Sequence, residues 1–269
     1  LISENGETVR AFSKHLNKNV EIEKSILSAF LQGREIKPYE VLPSGKVVII
    51  PYRVQNGRIL LFSEDELKSN YPQTFAYFKE SKEALENREN GRMRQQNWYA
   101  YIYPKNLEVM KSSKILVPDI ASRASFAIDE QGQYAFTSGY GITLKPGVLE
   151  SPKYVLGLIN SKLLDIYLKS ISTVMRGGYF RYFTQYVEQL PIRRINFDDP
   201  ADKARHDKLV SLVETMLRLK PEHAQAEAVF SERRHELAEQ IARTDRAIDA
   251  LVYELYGLTE AEIAIVEGQ

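Results

Sequence analysis

Phe230, Arg234, Leu237, Ile241, Thr244, Ile248, Leu251 and Leu255 step by four and three along the chain, a heptad seam with two polar interruptions. Only a long helix puts such residues on one side, and an apolar stripe on a helix needs a cover. The cover stands just upstream. Asp202 to Leu219 carries Leu209, Leu212, Val213, Met216 and Leu217 at helical spacing, and Pro221 lies between the two runs. The spacing predicts two helices that turn at Pro221 and close into an antiparallel hairpin. The linker Asp198-Asp199-Pro200 leads in, and Thr259 with Glu262 forms the capping box of a short last helix.

Upstream of residue 196 the period changes. Val47 to Val54 and Arg58 to Phe62 are β-branched runs joined through Gln55-Asn56-Gly57, a strong hairpin signal. Ser63 with Glu66 caps a helix that Tyr71-Pro72 restarts, with Phe75, Phe78 and Leu85 facing inward. From Trp98 to Leu144 come short strand-like runs, at 99–103, 114–117, 125–128, 134–137 and 142–144, punctuated by turn residues. Ser151-Pro152 opens a further helix with Val155, Leu156, Ile159, Leu163, Ile166 and Tyr167 as its stripe and Asn160-Ser161 on its polar side. Asn19 to Gln32 reads as a short helix with Ile22, Ile26, Ala29 and Phe30 on one face, ended by Gly33. The fold class is α+β: a curved mixed or antiparallel sheet with packed helices, followed by an antiparallel helical hairpin. The expected divisions are a helical connector over 1–32, a recognition domain over 33–195 and the helical hairpin over 196–269.

Charge narrows the function. Lys+Arg and Asp+Glu both number 36, so the chain as a whole does not attract a polyanion and any nucleic-acid contact must be local. There is no cysteine, which excludes disulfides and thiolate chemistry. Runs such as Val47 to Ile50 are far too short to cross a bilayer, so no membrane partner and a cytoplasmic setting are expected. The chain begins at Leu1 rather than Met, as a fragment of a longer protein would.

Two segments have the chemistry of a nucleic-acid contact. Arg176-Gly177-Gly178-Tyr179-Phe180-Arg181 combines charged forks, exposed rings and glycines that let backbone approach phosphate. The competing reading is a loop whose aromatics fold into the core, and Tyr182, Tyr186 and Leu190 fall at helical spacing as if one face were buried. Arg92, Arg94, Gln95, Gln96 and Asn97, just before the only tryptophan, are of the types that pair with guanine and adenine edges in the major groove. A solvated loop anchored by Trp98 is the plainer reading, and the two are compatible. Lys105 and Arg123 are candidate phosphate contacts.

Catalytic constellations are missing. There is no Gly-rich phosphate loop, no nucleophile elbow and no Pro-Pro pair of the kind that holds a flipped adenine. His15, His206, His223 and His235 are too scattered for a metal site. Glu35-Ile36-Lys37 lacks the preceding Asp that a magnesium nuclease needs, and Glu80-Ser81-Lys82 lies on an expected helix.

The chain resembles the C-terminal specificity domain of TaqI-like adenine-specific DNA methyltransferases and of fused type IIG restriction-modification enzymes. Five segments carry the resemblance in order: Gly33-Arg34-Glu35-Ile36-Lys37-Pro38-Tyr39, Lys114-Ile115-Leu116-Val117-Pro118, Leu156-Gly157-Leu158-Ile159-Asn160-Ser161-Lys162, Tyr182 to Ile192, and Ile248 to Thr259. The resemblance implies a chain that is not catalytic by itself. A separate N-terminal methyltransferase domain would bind S-adenosylmethionine and flip the adenine, while this part reads double-stranded DNA around it. The rival from another class is a protein-interaction or specificity-subunit module that docks a partner on the heptad seam. Exposure of that seam would favour the rival, and burial within the hairpin would favour recognition.

Overall fold

In a computed structural model the structure describes residues 2–42, 44–95, 97–104 and 106–268, with the backbone alone at Asn5. Two compact units result: one of 1–31, 43–112 and 132–135, the other of 32–42, 113–131 and 136–269. The fold class is α+β, and the strands are divided among several small sheets.

The first unit opens with an antiparallel sheet of Ser3–Asn5, Thr8–Ser13 and Lys18–Glu23, in which Val9 faces Ile22 and Ala11 faces Val20. This corrects the helix expected over Asn19 to Gln32, and with it the helical connector over 1–32. Val20 and Ile22 alternate with polar residues at a period of two, and the matching alternation of Val9 and Ala11 provides their partner strand. Leu27–Gln32 is a strand as well, paired with Val47–Ile49, and Gly33 opens a 3-10 turn instead of closing a helix. The hairpin Tyr52–Gln55 and Arg58–Leu61 forms about the expected Asn56–Gly57 turn. Helix Glu64–Asn70 begins with the Ser63–Glu66 capping box and helix Pro72–Glu80 with its proline, as expected. Phe78, Trp98 and Tyr99 lie buried together with Ile22, Ile26 and Leu67.

The second unit is built on strand Lys114–Pro118, every residue of which is buried, with Ala127–Asp129 antiparallel on one side and Gly139–Ile142 on the other. The run expected at 142–144 pairs earlier in the chain, because Ile115 takes Ile142 and Pro118 takes Gly139 as partners. A single helix was expected from Ser151; two form, Pro152–Asn160 and Lys162–Ile171. Ser161 between them is extended, its Oγ accepts from the Leu164 N–H, and it is buried instead of polar-facing.

The helical pair is Pro200–Ala228 and Arg233–Tyr256. Pro221 lies inside the first helix and does not make the turn. The missing N–H costs the helix a bond, but Leu219, Ala226 and Leu237 cluster across the pair and hold the segments on either side of the proline. The turn comes at Phe230, whose φ is +52° and whose side chain is 81% exposed, contrary to its expected place in the seam. Most of the remaining seam is inside the hairpin: Leu237, Thr244, Ile248, Leu251 and Leu255 are buried, and Arg234 and Ile241 are half-buried. Gly157 brings the helix Pro152–Asn160 against this pair, since a Cβ there would sit 2.9 Å from Val213 Cγ2 and 3.0 Å from Leu209 Cδ1. The Thr259–Glu262 capping box opens the final helix Glu260–Glu267. No helix among the described residues is long and apolar enough to cross a membrane.

Candidate nucleic-acid interface

In the second unit, Val174–Met175 and Tyr179–Arg181 form a β-hairpin whose turn is Arg176-Gly177-Gly178. Gly177 and Gly178 have φ of +87° and +77°, a succession that residues with a Cβ resist. The turn lifts Arg176 and Tyr179 out of the fold, and both are exposed. The base of the hairpin is fixed. Ile120 pairs with Arg181 and Ala121 with Phe180, and Ser172 Oγ donates to the Arg181 carbonyl over 2.6 Å. Arg181 lies over the Phe183 ring at 5.0 Å, and its Nε is buried without a hydrogen-bond partner. Of the residues at helical spacing, Tyr182 and Leu190 are buried, whereas the helix itself is the single turn Thr184–Val187, so Tyr182 precedes it.

Tyr182 is anchored through Asp165. Its hydroxyl donates to Asp165 Oδ1 over 3.0 Å, the Ala124 N–H donates to the same oxygen over 2.7 Å, and Lys169 Nζ reaches Oδ2 at 2.7 Å. Burial, with the Asp165 charge added, pushes the Tyr182 hydroxyl far above its ordinary range and keeps it a donor. At the end of the preceding helix, Asn160 clasps Phe126 from both sides: Oδ1 accepts from its N–H and Nδ2 donates to its carbonyl, each over 2.9 Å. Asn160 and Asp165 thus hold the segment 121–126, on which Arg123 stands exposed. No motif or spacing singles out Asp165 in the sequence. Asn160 was visible only as part of the motif ending in Asn-Ser-Lys.

In the first unit, the described residues of 92–99 form the loop expected from their composition. Glu89, Asn90 and Gly91 are all left-handed and swing the chain out of the preceding helix, and Asn97, also left-handed, returns it to Trp98. The anchor is Arg88. Its Nη2 donates to the carbonyls of Trp98 and Ala100 over 2.8 and 2.9 Å, and its Nε to that of Leu85 over 2.8 Å. Tyr101 N–H donates to Tyr52 Oη over 2.6 Å. These side chains occupy backbone groups that a strand would need, so the strand expected over 99–103 does not form. Arg94 Nε donates to Asn87 Oδ1 over 3.1 Å, and Arg92 reaches Glu89 Oε2 at 3.3 Å and lies over the Tyr103 ring. Each guanidinium has five N–H donors, so both keep donors for a ligand while being held in position. Gln95 and Asn97 are exposed; Gln96 and Lys105 lie outside the described residues.

Residues 28–192 match the TaqI-like C-terminal specificity domain. Over 93% of its length the chain is 24% identical to the type II methyltransferase M.BstVI of Geobacillus stearothermophilus and 25% identical to M.XhoI of Xanthomonas vasicola. Over 64% of its length it is 27% identical to the type II restriction enzyme and methyltransferase RM.Eco57I of Escherichia coli. The chain spans 37%, 38% and 18% of those relatives, respectively. Among solved structures it resembles MmeI, a type IIL restriction-modification enzyme in complex with DNA. There the TM-score is 0.54 over 91% of this chain and 30% of that one, at 12% identity, which makes the likeness one of fold.

Proposed function

Because the chain belongs to the TaqI-like C-terminal specificity domain family, we propose that it is the DNA-reading part of a site-specific DNA methyltransferase or fused restriction-modification enzyme. The family match over residues 28–192 is the observation that carries this reading. The finer reading is an adenine-specific enzyme, of type IIG where methylation and cleavage share one protein, acting in the cytoplasm. Its S-adenosylmethionine and its chemistry belong to an N-terminal domain outside these residues.

In this reading the hairpin 174–181 and the loop 92–97 supply base contacts. Arg94 and Arg181 are held from behind, by Asn87 and by the Phe183 ring, so a base edge meets a guanidinium whose ordering cost is already met. Arg123 and Lys105 serve the backbone. Burial of the seam residues Leu237, Ile248 and Leu251 favours recognition over a partner-docking module. The neutral chain gains little from counterion release, so sequence-dependent contacts must provide much of the binding.

The test is selection from a randomised duplex pool by the 269-residue chain, followed by fluorescence anisotropy on the enriched duplex. A single enriched motif is expected. Arg94→Ala and Arg181→Ala should each weaken that duplex by about 1–3 kcal/mol and relax preference at one position. Failure of any motif to emerge would sink the reading, and equal losses on selected and random duplexes would reduce the arginine in question to a phosphate contact.

A further inference from the structure

Within the second unit, a cavity of about 490 Å³ opens beside the helical pair, and Tyr39, Arg123, Lys220, Asp245 and Asp249 are among the residues around it. Tyr39 is the notable member. It is 3% exposed, its backbone is held at φ +62° with its N–H donating to the Phe126 carbonyl over 2.8 Å, and its buried hydroxyl has no hydrogen-bond partner. Burial, with Asp245 and Asp249 adding to it, pushes that hydroxyl well above its ordinary range, so it is a donor without an acceptor. An unmet donor at such depth costs free energy that a ligand can return.

Four cations line the cavity, and two of them, Arg123 and Lys220, bear on the site. Burial depresses the Lys220 ammonium and repulsion from the Arg123 guanidinium depresses it further, against a smaller opposite pull from Glu40 and Asp245. The other cations of the lining are satisfied: Lys162 pairs with Glu267 and Lys169 with Asp165. Arg123 and Lys220 make no such salt bridge among the described residues. Like charges brought together next to an unmet donor call for an anion with several acceptor oxygens.

We propose that this cavity binds a phosphate group, held by Tyr39 Oη, the Arg123 guanidinium and the Lys220 ammonium. The carboxylates of Asp245 and Asp249, on the Arg233–Tyr256 helix, line the same cavity and repel the anion, which makes it a weak site set by three donors. The site does not depend on the DNA-reading proposal, because a free phosphate compound would meet the same donors as a DNA backbone phosphate.

The experiment is a titration of the 269-residue chain with inorganic phosphate at low ionic strength, where screening is least. It is followed by NMR at the Arg123 side-chain N–H and the amides of Tyr39 and Lys220, against sodium chloride at matched ionic strength. A saturable shift in the millimolar range is expected with phosphate and not with chloride. Arg123→Gln and Lys220→Gln should each weaken it about tenfold, as loss of one charge-assisted bond does. Tyr39→Phe removes only the hydroxyl; it should weaken phosphate severalfold while leaving the protein at least as stable, since the lost group was unsatisfied. No saturable shift, an equal shift with chloride, or unchanged affinity in all three variants would overturn the site. If a duplex lacking terminal phosphates moves the same signals and competes with inorganic phosphate, the ligand is a DNA backbone phosphate. If inorganic phosphate binds and the duplex does neither, it is a free phosphate compound.

Discussion

Replacing Asn160 by alanine deletes two hydrogen bonds to one residue, the N–H and the carbonyl of Phe126, each 2.9 Å from the amide. Phe126 is fully buried, so water does not replace the lost partner of its N–H, whereas its carbonyl still accepts from the Tyr39 N–H over 2.8 Å. The orphaned N–H costs about 1–3 kcal/mol, and the second bond lost at the still-satisfied carbonyl adds about 0.5–1 kcal/mol, giving an expected loss of roughly 1.5–4 kcal/mol. For a protein of this size each kcal/mol moves Tm by about 2–4 °C, so the midpoint should fall by about 3–15 °C. Urea denaturation gives the free energy and thermal unfolding the midpoint. Asn160→Asp is the informative companion: its carboxylate still accepts from the Phe126 N–H but opposes the Phe126 carbonyl with a second oxygen. At neutral pH it should destabilise at least as much as alanine, and acidification should restore part of the loss, because a protonated carboxyl can donate again. A loss below about 1 kcal/mol for alanine, with an unchanged urea slope, would refute the claim that this side chain holds the segment 121–126.

Three further outcomes are expected. Burial, with lesser repulsion from Asp245, pushes the Asp249 carboxyl from its ordinary 3.8 up to about 6, so between those values the folded chain holds a proton that the unfolded chain has released, and stability falls as pH rises through that window. Asp249→Asn retains an oxygen for the Lys162 N–H and should be more stable than the parent by about 1–3 kcal/mol at pH 7.5 but equal to it near pH 4; equal stability at both values in urea titrations would contradict this. Gly157→Ala drives a methyl into Val213 and Leu209 and should cost about 1–3 kcal/mol, with a neutral result showing that the helices separate freely. Thr259→Ala removes the oxygen that accepts from the Glu262 N–H and should cost about 1 kcal/mol, seen as earlier hydrogen exchange in 260–267.

How far the fold was legible depended on how local its cause was. Capping boxes at Ser63 and Thr259, the Asn56–Gly57 turn and the seam from Leu237 to Leu255 are set by neighbours within a few residues, and each is found where its spacing put it. The failures have distant causes. Ile22 fits a helical face as well as a strand, and Val9, more than ten residues away, decides between them. Pro221 reads as a stop until Leu219 and Ala226 find Leu237. Tyr99 to Tyr103 alternates like a strand, but Arg88 and Tyr52 take its backbone bonds. At the candidate interface the residue types of 92–97 and 176–181 were evident, while the groups that hold them, Asn87, Phe183 and Asp165, come together only in the folded chain.

The Val174–Arg181 hairpin separates two demands on one stretch of chain. Its base is tied down by Ser172, Tyr182 and pairing with Ile120–Ala121, whereas Arg176, Gly177, Gly178 and Tyr179 at the tip are exposed. Exposed substitutions away from packing contacts usually change stability by less than about 0.5 kcal/mol. Arg176 and Tyr179 can therefore be exchanged for other side chains at almost no cost in folding, provided the two glycines keep the turn. Such a tip can drift in sequence one point mutation at a time without compensating changes in the core.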